Sequence, residues 1–259
     1  MNSLKNKIIF VLTLSFLFLF FLQFSALCIG ADFVEISPKN LISKMEKATD
    51  PSGALSKADN KVTTGELIMP VQKIKMNVNL IFKTPDMLYV KSVFTDGQYV
   101  IQAYNGKVAW KFASGTTNSV IMTGRERDYF IFNAMLEAPG EKVWENLFSK
   151  FELSDFYSKV GEYECYVLTC TPKNEYNIKN PLVLYIDNKD FLLRRMDMDI
   201  CSDGTLINEQ IYVEKYENIH GVNVAVKTKT DIMGAEIEYF VNSFNLNNNI
   251  DNSIFDILK

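Results

Sequence analysis

The chain has 259 residues, enough for one large β domain or two small ones. Its 27 basic and 31 acidic side chains give a formal net charge of −4, which argues against nucleic acid as a partner and against simple electrostatic attachment to anionic lipid. The hydrophobic content of 47% and the charged content of 22% are ordinary for a globular protein, so the pattern of elements must decide the class.

Residues 1–31 have the pattern of a secretory signal peptide. Two lysines precede a long apolar run, and small residues suited to cleavage before Asp32 follow it. Two other interpretations stay open. One is lipidation at Cys28, and the other is an uncleaved membrane anchor, since the apolar segment is just long enough to span a bilayer. In all three cases the sequence predicts export of the domain that follows, 32–259.

The exported part opens with a short helix. Ser37 is a predicted N-cap, Pro38 occupies the first helical position, and an apolar stripe continues to Ala48. A polar linker over 49–60 follows. Beyond it the predicted strands cover 74–80, 87–94, 98–104, 107–112, 156–160, 163–171, 182–187, 191–201, 205–216, 222–231 and 235–244.

These strands are joined by short connections. Asp96-Gly97, Asn105-Gly106 and His220-Gly221 are typical hairpin turns. Because strands and helices do not alternate along the chain, the sequence predicts a mainly β fold, a single antiparallel sheet or barrel of about eleven strands. The asparagine-rich tail carries Phe255, which we expect to dock on the body of the domain.

The longest helical pattern lies between the two groups of strands, over 123–151. A first helix would place Tyr129, Phe132, Met135 and Leu136 on one side, and Pro139-Gly140 would end it. A second helix would place Val143, Trp144, Leu147, Phe148 and Phe151 on one face. Helices this rich in large apolar side chains must pack on an apolar surface, so we expect them to form a lid over the opening of a curled sheet.

Two strands show which face of the sheet is apolar. In 74–80 the apolar Met76, Val78 and Leu80 alternate with polar residues. In 191–201 the same alternation would place Arg194 as a lone cation among Leu192, Met196, Met198 and Ile200. Arg194 could anchor a lipid head group or an acylated N-terminus at the mouth of an apolar pocket, or it could lie at the rim with its guanidinium in water.

The sequence offers little chemistry for catalysis. His220 is the single histidine, which argues against a histidine-based metal site or a Ser-His-Asp triad. Cys165 and Cys170 lie too far apart along one strand to form a disulfide. Asp197 and Asp199 could form a carboxylate pair, but a solvated charged strip explains them more simply. We therefore predict no enzymatic activity, no metal and no cofactor.

Several segments together carry a family resemblance. They are the helix ISPKNLISKMEKAT before a strand that begins TTGELIM, the Lys-x-Pro turn in FKTPDMLYVKS, the tryptophan strand NGKVAWKF, the Asp turn in PLVLYIDNKDFLLRRMDM, the hairpin YVEKYENIHGVNVAVKTKT and the ending FNLNNNIDNSIFDI. The match runs from about residue 33 to 257. In these segments the chain resembles the LolA/LolB-like superfamily of outer-membrane lipoprotein-sorting proteins.

The resemblance implies an unclosed β-barrel of about eleven strands, with lid helices over an apolar cavity. It implies a periplasmic carrier or chaperone that binds acyl chains of lipoproteins or lipids and delivers them toward the outer membrane, with an inner-membrane donor and an outer-membrane acceptor as possible partners. The alternative is a membrane-tethered or soluble lipid- or protein-binding regulatory module without transport. Alternation and helical spacing nominate as cavity residues Met76, Val78, Leu80, Tyr129, Phe132, Leu136, Trp144, Phe148, Arg194, Met196 and Met198.

Overall fold

One antiparallel sheet of fourteen strands organises the part of the chain that this computed structural model describes, residues 35–202, 205–232 and 235–258. The strands are β1 Asn60–Met69, β2 Ile74–Lys83, β3 Met87–Phe94, β4 Tyr99–Tyr104, β5 Ala109–Ala113, β6 Val120–Ile121, β7 Phe148–Leu153, β8 Ser158–Val160, β9 Tyr163–Pro172, β10 Leu182–Asp187, β11 Leu193–Ser202, β12 Thr205–Ile219, β13 Val222–Ile232 and β14 Ala235–Leu246. The helices are α1 Pro38–Thr49, α2 Gly124–Leu136 and α3 Glu141–Leu147. The mainly β fold predicted from the sequence is confirmed, and the predicted signal segment, including Cys28, lies outside the described residues.

The sheet is curled but not closed. Its strand order is β6-β5-β4-β3-β2-β1-β14-β13-β12-β11-β10-β9-β7, and β8 pairs with β9 beside this path. Strands β4 and β11 are seven steps apart in that order, which would be roughly 34 Å in a flat sheet. Gln102 of β4 and Ile200 of β11 nevertheless line the same cavity. The sheet must therefore curve back on itself, as an unclosed barrel does.

Helix α1 begins as the sequence predicts. The Ser37 hydroxyl accepts a hydrogen bond from the Asn40 amide at 3.3 Å, and Pro38 occupies the first turn. The helix buries Leu41, Ile42 and Met45 on the inner face of the sheet, which we define as the face that the helices cover. Burial of this stripe holds α1 against the barrel, since each large apolar side chain contributes about 1.5–3 kcal/mol when fully buried.

The second lid helix is shorter than the sequence predicts. Helix α3 ends at Leu147, and Phe148 already has extended backbone angles (φ −114°, ψ 141°). The predicted helical face that continued to Phe151 is therefore wrong, because 148–153 form the edge strand β7 along β9. Hydrogen bonds to β9 satisfy the backbone of this segment, and this tertiary pairing outweighs a local spacing that would also suit a helix.

The predicted hairpin between β12 and β13 is confirmed. His220 and Gly221 both have positive φ values, 54° and 82°, as the tightest two-residue hairpin turns require. A side chain at Gly221 would come within 2.5 Å of the Ser52 hydroxyl, so this glycine also lets the turn approach the linker after α1. The predicted docking of Phe255 is confirmed too: its side chain is fully buried, and its carbonyl accepts from Trp110 Nε1 at 2.8 Å.

The apolar core of the inner face has two parts. The first lies beneath α1 and α3 on β7, β9 and β10, and its buried members include Leu41, Phe132, Leu147, Phe148, Leu168, Leu184 and Ile186. The second lies beneath α2 on β2 to β5, with Phe82, Leu88, Tyr104, Ala109, Met122 and Ala134. Helix α2 contributes to both parts and so bridges them.

Candidate functional site: a cavity beneath helix α2

A cavity of about 390 Å³ lies between α2 and the inner face of the sheet. Its volume is within the range of small-molecule sites, roughly 300–1,000 Å³. The sheet side is lined by Leu80, Leu88, Val90, Gln102, Ile200 and Cys201, and the α2 side by Glu126, Tyr129, Phe130, Asn133 and Glu137. The cavity thus has a mostly apolar floor and a roof that carries three polar side chains.

The sequence of α2 explains why it lies across this cavity. Phe132, Met135 and Leu136 pack into the first part of the core. Phe130, Ile131 and Ala134, on the other flank of the helix, pack into the second part. With apolar contacts on both flanks, α2 spans the two core regions, and the strip of its surface between the flanks faces the space between them.

That strip is formed by residues 126, 130, 133 and 137, which follow one another at intervals of four, three and four positions along the helix. At 3.6 residues per turn, positions 126, 130, 133 and 137 fall within a narrow arc of the helix, and all four line the cavity. Three of them are Glu126, Asn133 and Glu137, which we call the polar stripe. A polar stripe that faces inward is unusual, because a helix at the surface normally turns its polar residues to solvent.

Lysines of the sheet neutralise both ends of the polar stripe. Lys111 Nζ of β5 lies 2.7 Å from Glu126 Oε1. Lys61 Nζ of β1 lies 2.5 Å from Glu137 Oε2 and also donates to the Glu137 carbonyl at 2.9 Å. These pairs are partly shielded from water, so they fix α2 over the cavity more firmly than fully exposed pairs would. Asn133 lies between them, and its Oδ1 atom is buried without a hydrogen-bond partner.

Glu209 adds a carboxyl group to the inner face on β12. It stands directly opposite Met198 of β11 and Ile232 of β13. Burial among apolar neighbours raises the pKa of this carboxyl from 4.5 to about 7. Among the described residues it has no hydrogen-bond or ion-pair partner. The charge on the inner wall therefore changes near neutral pH.

Polar contacts between α1 and the α2–α3 connection hold the second lid helix in place. Trp144 Nε1 donates to Glu46 Oε1 at 2.7 Å, and the Gly140 amide donates to Glu46 Oε2 at 3.2 Å. Burial raises the pKa of Glu46, although these two hydrogen bonds oppose the rise. The Ser43 hydroxyl donates to Glu141 Oε1 at 2.7 Å. Helix α3 is thus attached to α1, and α2 is attached to the sheet.

The structure divides the sequence-nominated residues between the cavity and the packed core. Leu80 and Tyr129 line the cavity, and Tyr129 is 2% exposed. Met76 is buried and Val78 is half-buried on the same face of β2 as Leu80. The other apolar nominees belong to the first part of the core, where they pack on one another: Phe132, Leu136, Trp144, Phe148, Met196 and Met198. The Phe132 ring packs edge to face against the Phe148 ring, and the Trp144 ring stacks on it; both centroid-to-centroid distances are 5.7 Å.

Arg194 is placed differently from the expectation. The alternation breaks at this residue, because Tyr185 pairs with Arg195 whereas Ile186 pairs with Leu193. Leu193 therefore takes the inner position, and the predicted placement of Arg194 on the apolar inner face is wrong.

The Arg194 guanidinium instead faces the outer side of the sheet. Its Nε and Nη2 atoms donate to the buried Asp187 Oδ2 at 3.1 and 2.9 Å, and it also pairs with Asp190. Its guanidinium carbon lies 4.0 Å from the centre of the Tyr163 ring. With its charge compensated by two carboxylates, Arg194 stabilises the β10–β11 hairpin and has no geometric basis as a ligand anchor.

Sequence reasoning passed over the polar stripe and Gln102. The signal was present in the spacing 126, 130, 133 and 137, which is as regular as the apolar spacing that nominated Tyr129 and Phe132. The spacing alone does not show which way the stripe points, because a surface helix normally turns its polar residues to solvent. Only the positions of Lys61 and Lys111 in the folded sheet show that this face is turned inward.

The described cysteines are free, and one of them, Cys201, lines the cavity. Cys165, Cys170 and Cys201 are free thiols, and burial raises the pKa of Cys165 and of Cys170 to about 12, far from the thiolate form. Within the described residues no three His, Cys, Asp or Glu side chains are grouped so that they could hold a metal ion. No helix in the described ranges is both long and apolar enough to cross a bilayer.

Comparison with solved structures identifies the fold. A DUF1329 family protein from Desulfovibrio piger superposes with a TM-score of 0.59 at 13% identity, covering 85% of this chain and 95% of the other. A LolA superfamily protein from Nitrosomonas europaea superposes with a TM-score of 0.57 at 11% identity, covering 85% of this chain and 98% of the other. A putative outer membrane lipoprotein-sorting protein domain from Vibrio parahaemolyticus superposes with a TM-score of 0.56 at 12% identity, covering 82% of this chain and 94% of the other.

The chain has a LolA-type fold. The resemblance stated from the sequence segments is thus confirmed at the level of fold. No protein-family model matches the chain, and no curated protein matches it. The cavity beneath α2 has the volume of a ligand site and a lining of both apolar and polar side chains.

Proposed function

We propose that the protein is a periplasmic carrier that binds acyl chains of lipoproteins or lipids in the cavity beneath α2 and delivers them toward the outer membrane. The cavity itself carries this proposal: about 390 Å³ between a lid helix and an apolar sheet face, in a LolA-type fold. Its function is binding and transfer without catalysis. The proposed partners are an inner-membrane donor and an outer-membrane acceptor.

The energetics of such a carrier follow from apolar burial. Each methylene removed from water contributes about 0.8 kcal/mol, so ten methylenes contribute about 8 kcal/mol. That gross value corresponds to a dissociation constant of about 1 μM, before the costs of ordering the chain are subtracted. Binding of this strength holds a lipid in aqueous surroundings and still permits its release to an acceptor.

The proposed location depends on the N-terminal segment. Residues 1–31 are proposed as a signal peptide, with 32–259 as the exported domain. Retention of the segment as an anchor, or acylation of Cys28, would tether the same cavity to a membrane. A tethered protein would act locally, as an acceptor or as a regulatory module that binds lipid or protein, and would not act as a shuttle.

The test is native mass spectrometry of the protein purified gently from the periplasm of cells that express the full chain. Val90 lines the cavity, and Val90→Trp should obstruct the cavity and strongly reduce the amount of a co-purifying lipid or acylated peptide. Val93→Trp is the matched control, because Val93 lies on the opposite face of the same strand. Circular dichroism should show that both variants are folded.

A co-purifying acyl species that is strongly reduced in Val90→Trp and kept in Val93→Trp would support the carrier and identify its cargo class. A clean apo mass, with no uptake of offered acyl chains, would refute the carrier. In that case a protein partner retained by the same purified material would favour the regulatory module.

A further inference from the structure

The cavity beneath α2 has a back wall formed by four strands. Strands β2 to β4 line the cavity on one side and β11 lines it on the other, and β1, β14, β13 and β12 lie between them in the order of the sheet. Because the sheet curves back on itself from β4 to β11, the inner face of these four strands closes the interior behind the cavity. We call this inner face the back wall.

The strand register shows which side chains the back wall carries. Ile207 stands opposite Ile200, which lines the cavity, and the same face continues by alternation across the sheet. Its side chains include Leu67, Ile207, Glu209, Ile211, Ile232, Ile237 and Tyr239. In the described part of the chain all of these are half-buried, and none belongs to either part of the apolar core. The back wall therefore leaves apolar surface available to the chain of a ligand.

Glu209 interrupts this apolar surface with a carboxyl group. Among the described residues it has no hydrogen-bond or ion-pair partner. Lys227 and Lys229 of the neighbouring strand β13 lie on the outer face, where they pair with Glu214 and Glu236. Burial among apolar neighbours raises the pKa of Glu209 from 4.5 to about 7, so its carboxyl is partly ionised at neutral pH. An ionised carboxylate on this wall needs a compensating charge.

The other titratable groups that face the interior do not supply that charge. Tyr239 on the back wall stays neutral, because burial raises its pKa to about 12. Cys201 of β11 contributes a thiol, which brings no positive charge. On the roof, both glutamates of the polar stripe are already paired with lysines. An anionic ligand would be repelled by ionised Glu209, whereas a protonated amine offers both the opposite charge and N–H donors.

The position of Glu209 suits the head group of a ligand whose chain lies in the cavity. Glu209 is two residues beyond Ile207 on the same face of β12, roughly 7 Å at the usual rise per residue. A chain that lies beside Ile200 in the cavity can therefore present its head group to Glu209, since Ile200 and Ile207 are direct cross-strand neighbours. The Glu209 side chain is half-buried and not enclosed, so a group in the interior can reach it.

We propose that Glu209 is the subsite for a protonated amine in the head group of a lipid whose acyl chain lies in the cavity beneath α2. The ligand class is an acyl-chain lipid that carries a primary amine. This subsite rests on the carrier function proposed above, because it specifies which head group the carrier prefers. A lipid that lacks the amine should bind through its chain alone.

The first test compares three probes of equal chain length on the purified protein by titration calorimetry. At pH 8 decylamine carries a protonated amine, 1-decanol carries a neutral hydroxyl, and decanoate carries a carboxylate. One charge-assisted hydrogen bond to Glu209 should make decylamine bind roughly tenfold more tightly than 1-decanol. Decanoate should bind no more tightly than 1-decanol, because its charge has the same sign as that of Glu209.

Glu209→Gln removes the charge and keeps the shape of the side chain. In this variant the preference for decylamine over 1-decanol should fall at least about fivefold, and the affinity for 1-decanol should stay equal or rise. Glu162→Gln removes one negative charge from an exposed position and is the matched control. It should keep the preference, which separates contact with Glu209 from general attraction of a cation to an acidic protein.

Proton release gives a second measurement at Glu209 itself. With a pKa of about 7, about nine-tenths of the Glu209 carboxyls are protonated at pH 6 in the unliganded protein. An ammonium group that pairs with the carboxylate displaces this proton to the buffer. Calorimetry in buffers of different ionisation enthalpy should therefore show the release of up to about 0.9 proton per decylamine bound, and none in Glu209→Gln.

The outcomes separate this subsite from the carrier itself. Equal affinity for decylamine and 1-decanol, a preference that survives in Glu209→Gln, or equal proton release with and without Glu209 would overturn the subsite and leave the carrier standing. Binding of none of the three probes would overturn the carrier and the subsite with it.

Discussion

Glu209→Gln should reveal the cost of placing a carboxylate on the inner wall of the barrel. The Glu209 side chain is half-buried between Met198 and Ile232, and burial raises its pKa from 4.5 to about 7. Glutamine has nearly the same shape and cannot ionise. The folded protein holds the Glu209 proton more tightly than the unfolded chain does, so the neutral form is the one that folding favours.

The sign and the magnitude follow from the two pKa values. The neutral carboxyl contributes its full stabilisation below a pH of about 4.5, and this stabilisation is lost as the pH rises to about 7. At 1.36 kcal/mol per pH unit, the interval from 4.5 to 7 corresponds to an upper limit of about 3.4 kcal/mol. Because the side chain is only half-buried, water screens part of this cost, and we expect about 1–2 kcal/mol.

Urea denaturation between pH 4 and pH 9 measures the effect. Near pH 4 the Glu209→Gln variant and the unmodified protein should unfold with the same free energy. At pH 8.5 the variant should be more stable by about 1–2 kcal/mol. Glu162→Gln, at an exposed position, should show no pH-dependent difference from the unmodified protein. A stability difference that is constant across this range, or that reverses in sign, would refute the reasoning.

Two further substitutions test the packing of the barrel. Gly65→Ala should lower stability by about 2–3 kcal/mol in thermal unfolding, because the new methyl group would collide with the Phe240 carbonyl oxygen and lie 2.7 Å from the Tyr239 ring. A change below about 0.5 kcal/mol would instead mean that β14 moves aside easily. Asp187→Asn should cost about 3 kcal/mol in urea unfolding, because Arg194 stays buried without its main partner. Glu152→Gln removes the exposed ion pair with Lys150 and is the control, which should cost under about 0.5 kcal/mol of stability. Equal losses of stability in the two variants would contradict a special role for the buried pair.

Most of the sheet could be predicted from local sequence. Turn dipeptides such as Asp96-Gly97 and Asn105-Gly106 need positive φ values that favour glycine, so they mark the hairpins directly. Alternation then shows which face of a strand is dry, as it does for Met76 and Leu80 in β2. Turn dipeptides and alternation both depend on residues that are close in sequence, and a meander of hairpins is built mainly from such local features.

Features set by contacts between neighbouring strands, or between a helix and the sheet, were the ones that escaped prediction. The edge strand over 148–153 exists because β9 lies beside it, and the local spacing alone also fits a helix. The irregular register at Arg194 depends on Asp187 across the hairpin. The inward direction of the polar stripe depends on Lys61 and Lys111, which come from strands far away in sequence. Lys61, Lys111 and β9 lie 15 or more residues from the groups that they contact. Asp187 is only seven residues from Arg194, and there the local pattern fails because the strand register shifts.

The pairing of β1 with β14 has a consequence for how the chain assembles. These strands join residues as distant as Lys61 and Leu246, and they lie in the middle of the sheet with β2 on one side and β13 on the other. Every other neighbouring pair among β1 to β6 and among β9 to β14 is a hairpin that can form from nearby chain. Closing so long a loop is slow and entropically costly, so two half-sheets should form first and be joined last. In pulse-labelling hydrogen exchange the amides shared by β1 and β14 should become protected after those of the hairpins.

During synthesis the N-terminal part of the chain leaves the ribosome first. Strand β1 then keeps an unpaired edge until β14, the last long strand, has been made. In this interval a chaperone or a second copy of the chain could bind the free edge.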